Sequence, residues 1–175
     1  MKKYSLLLSI AIFTFLWVFP QHVILFAGEV DLPKTGQTTC YDEEGGVIDC
    51  AGTGQDGDIQ AGVEWPSPRF TDNNDGTVTD NLTGLMWLKD ANCFGAKSWS
   101  QALADCNNLS SGSCGLSDGS VAGDWRLPNR KELLSLVDYS QWDPAMPQGH
   151  PFDIAQSEFI YYLSSTTDAN GSDTA

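Results

Sequence analysis

Large apolar side chains are crowded into two parts of this 175-residue chain, an N-terminal run and the stretch from Val63 onward. Between them, residues 29–62 hold mainly glycine, acid and small polar groups, too little apolar surface to form a core. The N-terminal run is not core material either. Lys2 and Lys3 precede LLLSIAIFTFLWVF, Pro20, Gln21 and His22 break it, and Ala27 and Gly28 supply small residues for cleavage. That pattern is a secretory signal peptide over residues 1–28. Left uncleaved, it would be the chain's contact with a membrane. The reading is therefore a leader (1–28), a Gly/Asp-rich lead-in (29–62) and one domain (63–175).

Cysteine placement agrees with export. Cys40, Cys50, Cys93, Cys106 and Cys114 all follow the leader, where an oxidising compartment can bridge them. None forms a CxxC pair, and the only histidine after the leader is His150, so zinc ligands are too few. An odd number leaves one thiol free, bound to another chain or without its partner. In TTCYDEEGGVIDC the residues are symmetric about Gly45. A hairpin turning at residues 44–46 would set Cys40 opposite Cys50, with α-carbons about 4.5 Å apart, close enough to bridge. Closing so short a loop stabilises by roughly 3 kcal/mol. Cys114 lies near enough in sequence to bridge either Cys93 or Cys106.

The formal charge is −14, and removing the leader takes away two lysines and no acid. Such a surface repels polyanions, so nucleic acid is not an expected partner unless Arg69, Arg126, Arg130 and Lys131 converge on one patch. LPKTG at residues 32–36 spells a sortase sorting signal. Its position just after the leader, with no apolar stretch following, argues against anchoring.

From Val63, the residues Trp65, Phe70, Leu85, Met86, Trp87, Leu88 and Trp99 offer core material. SWSQALADCNNL predicts an amphipathic helix with Ser98 and Gln101 as a capping box and Trp99, Ala102, Leu103, Cys106 and Leu109 on one face. A Gly/Ser-rich loop follows. LPNRKELLSLVDY predicts a second helix, capped by Asn129 and Glu132, that buries Leu133, Leu134, Leu136 and Val137. After a proline-broken loop, FIYYLSST reads as a strand.

Catalytic patterns fail. FGAKS lacks the spacing and second glycine of a phosphate loop, no GxSxG elbow is present, and GSCG around Cys114 departs from the papain-type signature. The oxygen-rich FTDNNDGTVTD also fails as an EF-hand: no register supplies ligands at positions 1, 3 and 5, glycine at 6 and an acid at 12. Asp75-Gly76 instead reads as a hairpin turn in which Gly76 takes the left-handed conformation. The alternative is a calcium site of another kind through Asp72, Asp75 or Asp80.

Taken in order, RFTDNNDGTVTDNLTGLMWLKDANC, CGLSDGSVAGDWRLPNRKELLSLVDYS and IYYLSSTT resemble the Lcl C-terminal domain family, a domain of secreted and surface proteins of bacteria. The resemblance runs from about Arg69 to Thr167. The family's founding member is the C-terminal part of a collagen-like adhesin that binds glycosaminoglycans, so the resemblance implies a non-enzymatic, exported adhesion or ligand-binding module. GDWRLPN-x-x-EL is also similar to a segment of formylglycine-generating enzymes, which implies an α+β, C-type-lectin-like fold with two short helices on a twisted antiparallel sheet. No copper-binding cysteine of those enzymes carries over, because none follows Cys114. An oxidase of that kind is the remotest alternative, and a structural module with protein partners alone is the nearer one. Within the shared segment, Trp125, Arg126, Leu127 and Pro128 are expected to be structural, with Trp125 and Leu127 packed inward and Arg126 paired with an acid.

Two departures bear on the fold. Leu163 stands where relatives place tryptophan, and relatives continue with further strands beyond the point where this sequence ends. The last strands of the sheet are thus expected to be missing. The charge points away from a heparin-type ligand and toward a neutral glycan stacked on an exposed Trp or Tyr.

Overall fold

The computed structural model describes residues 32–154 and 162–167, which form a mixed α/β arrangement of three helices and two antiparallel sheets. In chain order these are β1 (Cys40–Tyr41), β2 (Val47–Ile48), α1 (Asp56–Ile59), β3 (Phe70–Asp72), β4 (Thr77–Asp80), β5 (Met86–Leu88), α2 (Trp99–Asn108) and α3 (Arg130–Ser135). The leader and residues 159–161 of the FIYYLSST stretch lie outside the described residues, and residues 162–166, expected as a strand, are not in one. No helix among the described residues is long and apolar enough to cross a membrane.

The central sheet has the order β3-β4-β5, with Phe70 opposite Asp80 and Val78 opposite both Asp72 and Trp87. DNNDG closes the first hairpin. The Asn73 amide donates to the Thr77 carbonyl at 3.1 Å, while Asn74 and Gly76 take left-handed conformations at φ 59° and 86°. Gly76 is needed twice over, since a Cβ there would lie 2.4 Å from the Gly115 carbonyl oxygen. The Gly/Ser loop is thereby seated on the hairpin, and the Ser117 amide donates to the Asp75 carbonyl at 2.7 Å.

One face of this sheet carries the core, in which Phe70, Val78 and Phe152 are buried and Trp87, Leu136, Met146 and Ile154 pack around them. Phe70 and Phe152 meet edge to face at 5.2 Å, an arrangement that adds about 0.5–1.5 kcal/mol beyond burial. Alternation along β5 corrects one expectation. Met86 is 55% exposed, because the side chains of successive strand residues leave on opposite faces and Trp87 takes the core side.

Both capping boxes form. Ser98 and Gln101 cap α2, and Asn129 and Glu132 cap α3, each with reciprocal side-chain and backbone bonds. Along α2, Ala102 is buried, as is Leu109 just past its end, with Trp99, Leu103 and Cys106 half-buried on the same face. The second helix departs from its reading. It stops at Ser135, none of its residues is buried, and Leu134 is exposed, since Asp138 turns the chain before a second apolar turn can form.

The lead-in is built into the same unit, which begins at Asp31. Val63 bridges Pro33 in parallel, accepting from the Lys34 amide at 3.0 Å and donating to the Leu32 carbonyl at 2.8 Å. The Trp65 indole donates to the Lys34 carbonyl at 2.8 Å, and the Thr35 carbonyl accepts from the Tyr139 amide at 3.0 Å. The LPKTG stretch is therefore a folded segment. Its hairpin also differs in register from the symmetric reading. Cys40 pairs with Ile48 rather than Cys50, because the Asp42 carboxylate accepts from the Glu44 and Gly46 amides and centres the turn one residue earlier. Beyond β2 the chain curls back through a turn at Cys50. A Cys40–Cys50 bridge forms there across 5.2 Å between α-carbons, against the buried Gly57 of α1.

Candidate functional site

The RLP segment is a clip. Trp125 is half-buried and its indole donates to the Ser120 hydroxyl at 3.0 Å, while Leu127 is half-buried and the Pro128 carbonyl accepts from the Ser165 amide at 2.7 Å. Arg126 lies on the surface and grips Glu132 with both terminal nitrogens, at 2.8 and 2.6 Å. Glu132 also accepts from the Asn129 amide at 2.8 Å. The Arg126 hydrogen bonds, against a smaller opposing effect of burial, hold the Glu132 carboxyl at about 2. These four residues fasten the start of α3, and their polar groups are taken up by Ser120, Glu132 and Ser165.

Asp80, one of the calcium candidates, lies at the buried end of the hairpin, where Arg69 meets it through Nε at 2.8 Å and Nη2 at 3.0 Å. The same Nη2 donates to the Ser135 carbonyl at 2.8 Å, which ties the sheet to the end of α3. The guanidinium also lies 4.9 Å from the ring centres of both Trp65 and Phe70. Burial pushes the Asp80 carboxyl up, but hydrogen bonds from Arg69, the Thr83 hydroxyl and the Leu82 amide together hold it below its ordinary value. Asp72 is turned to Lys89 at 2.8 Å and to the Asn74 amide, which lower its pKa in that order. Asp75 accepts from the Thr77 amide and hydroxyl at 3.0 and 2.6 Å. The three candidate carboxylates thus serve three separate sets of donors, and among the described residues no trio of His, Cys, Asp or Glu is placed to hold a metal. Arg69 and Arg126, two of the four basic residues whose convergence would have admitted a polyanion, are each committed to an acid.

Cys93 bridges Cys114 with α-carbons 5.6 Å apart, and Cys106 remains a half-buried free thiol. Burial, aided by the Asp105 charge, pushes that thiol up.

Groups that could meet a ligand gather elsewhere, where the lead-in crosses the loop after α3. Asp138 opens that loop, donating its amide to the Ala145 carbonyl at 3.0 Å and accepting from the Ser140 amide and hydroxyl at 2.9 and 2.7 Å. Tyr139 is pinned at both backbone groups, its amide to Thr35 and its carbonyl by the Gln37 side chain at 3.0 Å. On this fixed loop Tyr139 is 55% exposed and Trp142 is 87% exposed. Beside it lies a hollow of about 240 Å³ lined by Lys34, Gly36, Gln37, Gln60, Trp65 and Asp138, among others. Gly36 makes the hollow feasible: at φ 88°, a side chain there would strike the Asp138 carboxylate and the Trp65 ring. Sequence reasoning passed over this region because it joins residues about a hundred apart. The local clue was DYS followed by a tryptophan in a proline-rich stretch, where Asp predicts a turn and Trp has no strand or helix to pack it.

A model of the Lcl C-terminal domain matches residues 76–175. The match begins inside the hairpin turn, so β3, Arg69 and the lead-in wall of the hollow all precede it. No curated protein and no solved structure matches the chain.

Proposed function

The chain belongs to the Lcl C-terminal domain family, and from that premise we propose that it is an exported, non-enzymatic ligand-binding or adhesion module of C-type-lectin-like fold whose ligand is a neutral glycan. The observation that carries this reading is Trp142, held 87% exposed on a loop whose backbone is fixed by bonds to Ala145, Thr35 and Gln37. An indole left in water adds little to the core, and an exposed ring on a loop tied down at its start gives a sugar face a platform. The acidic balance disfavours sulfated or uronic chains. Two disulfides support work in an oxidising compartment outside the cytoplasm, whether secreted, periplasmic or at the cell surface.

The test is calorimetric titration of the protein with neutral oligosaccharides of differing linkage. Saturable binding is expected, and Trp142→Ala should weaken it by about 2 kcal/mol or more, roughly thirtyfold, as for an aromatic anchor. If no neutral oligosaccharide binds, the reading gives way to that of a structural module with protein partners.

A further inference from the structure

We propose that the hollow between the lead-in and the loop after α3 is a subsite for one uncharged hexopyranose-sized ring, with the Asp138 carboxylate as the acceptor for its hydroxyls. The inference rests on the glycan reading above and assigns a place and a chemical class to it. Size sets the first limit. About 240 Å³ is below the roughly 300–1,000 Å³ of pockets that enclose drug-sized ligands, so a single ring fits and an oligosaccharide does not.

The lining sets the chemistry. Asp138 is only 7% exposed, yet its Oδ1 alone serves the Ser140 amide and hydroxyl, and Oδ2 accepts nothing from the described residues. That second oxygen keeps its capacity to accept, and a sugar hydroxyl is a donor of the right kind for it. Trp65 brings an aromatic surface, half-buried and fixed by its bond to the Lys34 carbonyl and by Arg69 over its ring. Gln37 cannot reorganise, because its carbonyl oxygen accepts from the Thr38 and Thr39 amides and its nitrogen donates to Tyr139. The wall is therefore formed before any ligand arrives. Lys34 and Glu64 pair with each other, which leaves Asp138 as the unbalanced charge. A uronic or sialic acid would meet that carboxylate at short range and be repelled, whereas a neutral ring would not. A longer glycan would seat its terminal residue here, close to Tyr139, whose backbone is bonded to Thr35 and Gln37 of the lining.

The experiment is a two-dimensional NMR titration of the full chain with methyl glucoside, methyl galactoside, methyl mannoside and methyl glucuronide, following the Trp65 indole resonance. At least one neutral methyl hexoside should shift it saturably at millimolar concentrations, and the glucuronide should not. Asp138→Asn keeps an acceptor for Ser140 but replaces the free oxygen by a donor, and it should weaken binding by about tenfold or more. Thr38→Trp, at an exposed position on the rim, should fill the hollow and abolish the shift without touching the core. Equal binding by the parent, Asp138→Asn and Thr38→Trp overturns the subsite. So does the absence of any neutral monosaccharide shift when oligosaccharides still bind, a result that leaves the glycan reading standing. Failure of both ligand classes sinks both proposals.

Discussion

Two arginine forks hold the two ends of α3, and they do so in opposite surroundings. At the start of the helix Arg126 grips Glu132 on the surface, and at its end Arg69 grips Asp80 inside the protein while donating to the Ser135 carbonyl. The bond lengths are alike, yet the consequences of losing one partner are not. A surface pair exchanges hydration for contact at nearly equal free energy, whereas a buried pair has no water to fall back on. The comparison explains how a six-residue helix with no buried residue keeps its place: polar clips at its ends do what a buried stripe would otherwise do.

The strongest way to break this comparison is to remove the inner carboxylate. Asp80→Asn keeps an acceptor for the Leu82 amide but leaves the Arg69 charge buried and unpaired, and it should cost about 3–5 kcal/mol in a denaturant melt. The cost belongs to the stranded charge rather than to the pair as such. Replacing both residues, Arg69→Met with Asp80→Asn, should therefore recover part of the loss. A single variant within 1 kcal/mol of the parent would mean that Arg69 finds water or another acceptor, and the inner fork would be no different from the outer one.

A covalent counterpart serves α2. Cys93 precedes that helix and Cys114 follows it, and their bridge ties the two flanking segments together. Opening it with Cys93→Ala and Cys114→Ala should cost about 3 kcal/mol, less than stranding the buried arginine. The effect should be greatest on amide exchange in the loop seated on the hairpin at Gly76. Unchanged stability would mean that the Ser98–Gln101 capping box and the buried Leu109 suffice for α2, and that clips matter only where no residue of the helix is buried.

Local features were legible in the sequence, and features assembled from distant segments were not. Ser98, Gln101, Asn129 and Glu132 announced both capping boxes because capping is decided within four residues. Gly76 announced its turn for the same reason. The partner of Arg69 was not foreseen, since the sheet register sets Asp80 opposite the neighbouring Phe70, and the partner of Arg126 was foreseen only as an unnamed acid. The oxygen-rich run around Asp72, Asp75 and Asp80 raised calcium as an alternative because composition cannot tell a carboxylate facing an arginine from one facing solvent. The hairpin at Cys40 shifted because symmetry of sequence about Gly45 weighed less than the two amides that Asp42 captures. The hollow was invisible, for it needs Gly36 and Asp138 side by side.

The smallest expected effect sharpens the comparison most, because it separates the outer fork by pH. Glu132 has an ordinary pKa of 4.5 and is held at about 2 in the folded protein. A carboxyl depressed on folding contributes stability that is fully present above its unfolded pKa and is lost as pH falls through the folded value. The outer fork should thus be intact at pH 6 and weaken progressively between about pH 5 and pH 2. Because Arg126 is largely solvent-exposed, solvent screening limits the contribution to about 0.2–1 kcal/mol. Glu132→Gln should accordingly destabilise by that amount at pH 6, retain an acceptor for the Asn129 amide, and flatten part of the fall in stability on acidification. Asp80 and Asp72, also depressed, contribute to that fall in the same direction. Melts of both proteins from pH 6 to pH 2 should therefore converge at the acid end. Curves that stay parallel throughout would mean that Arg126 does not set the protonation of Glu132, and that the start of α3 is held by its capping box alone.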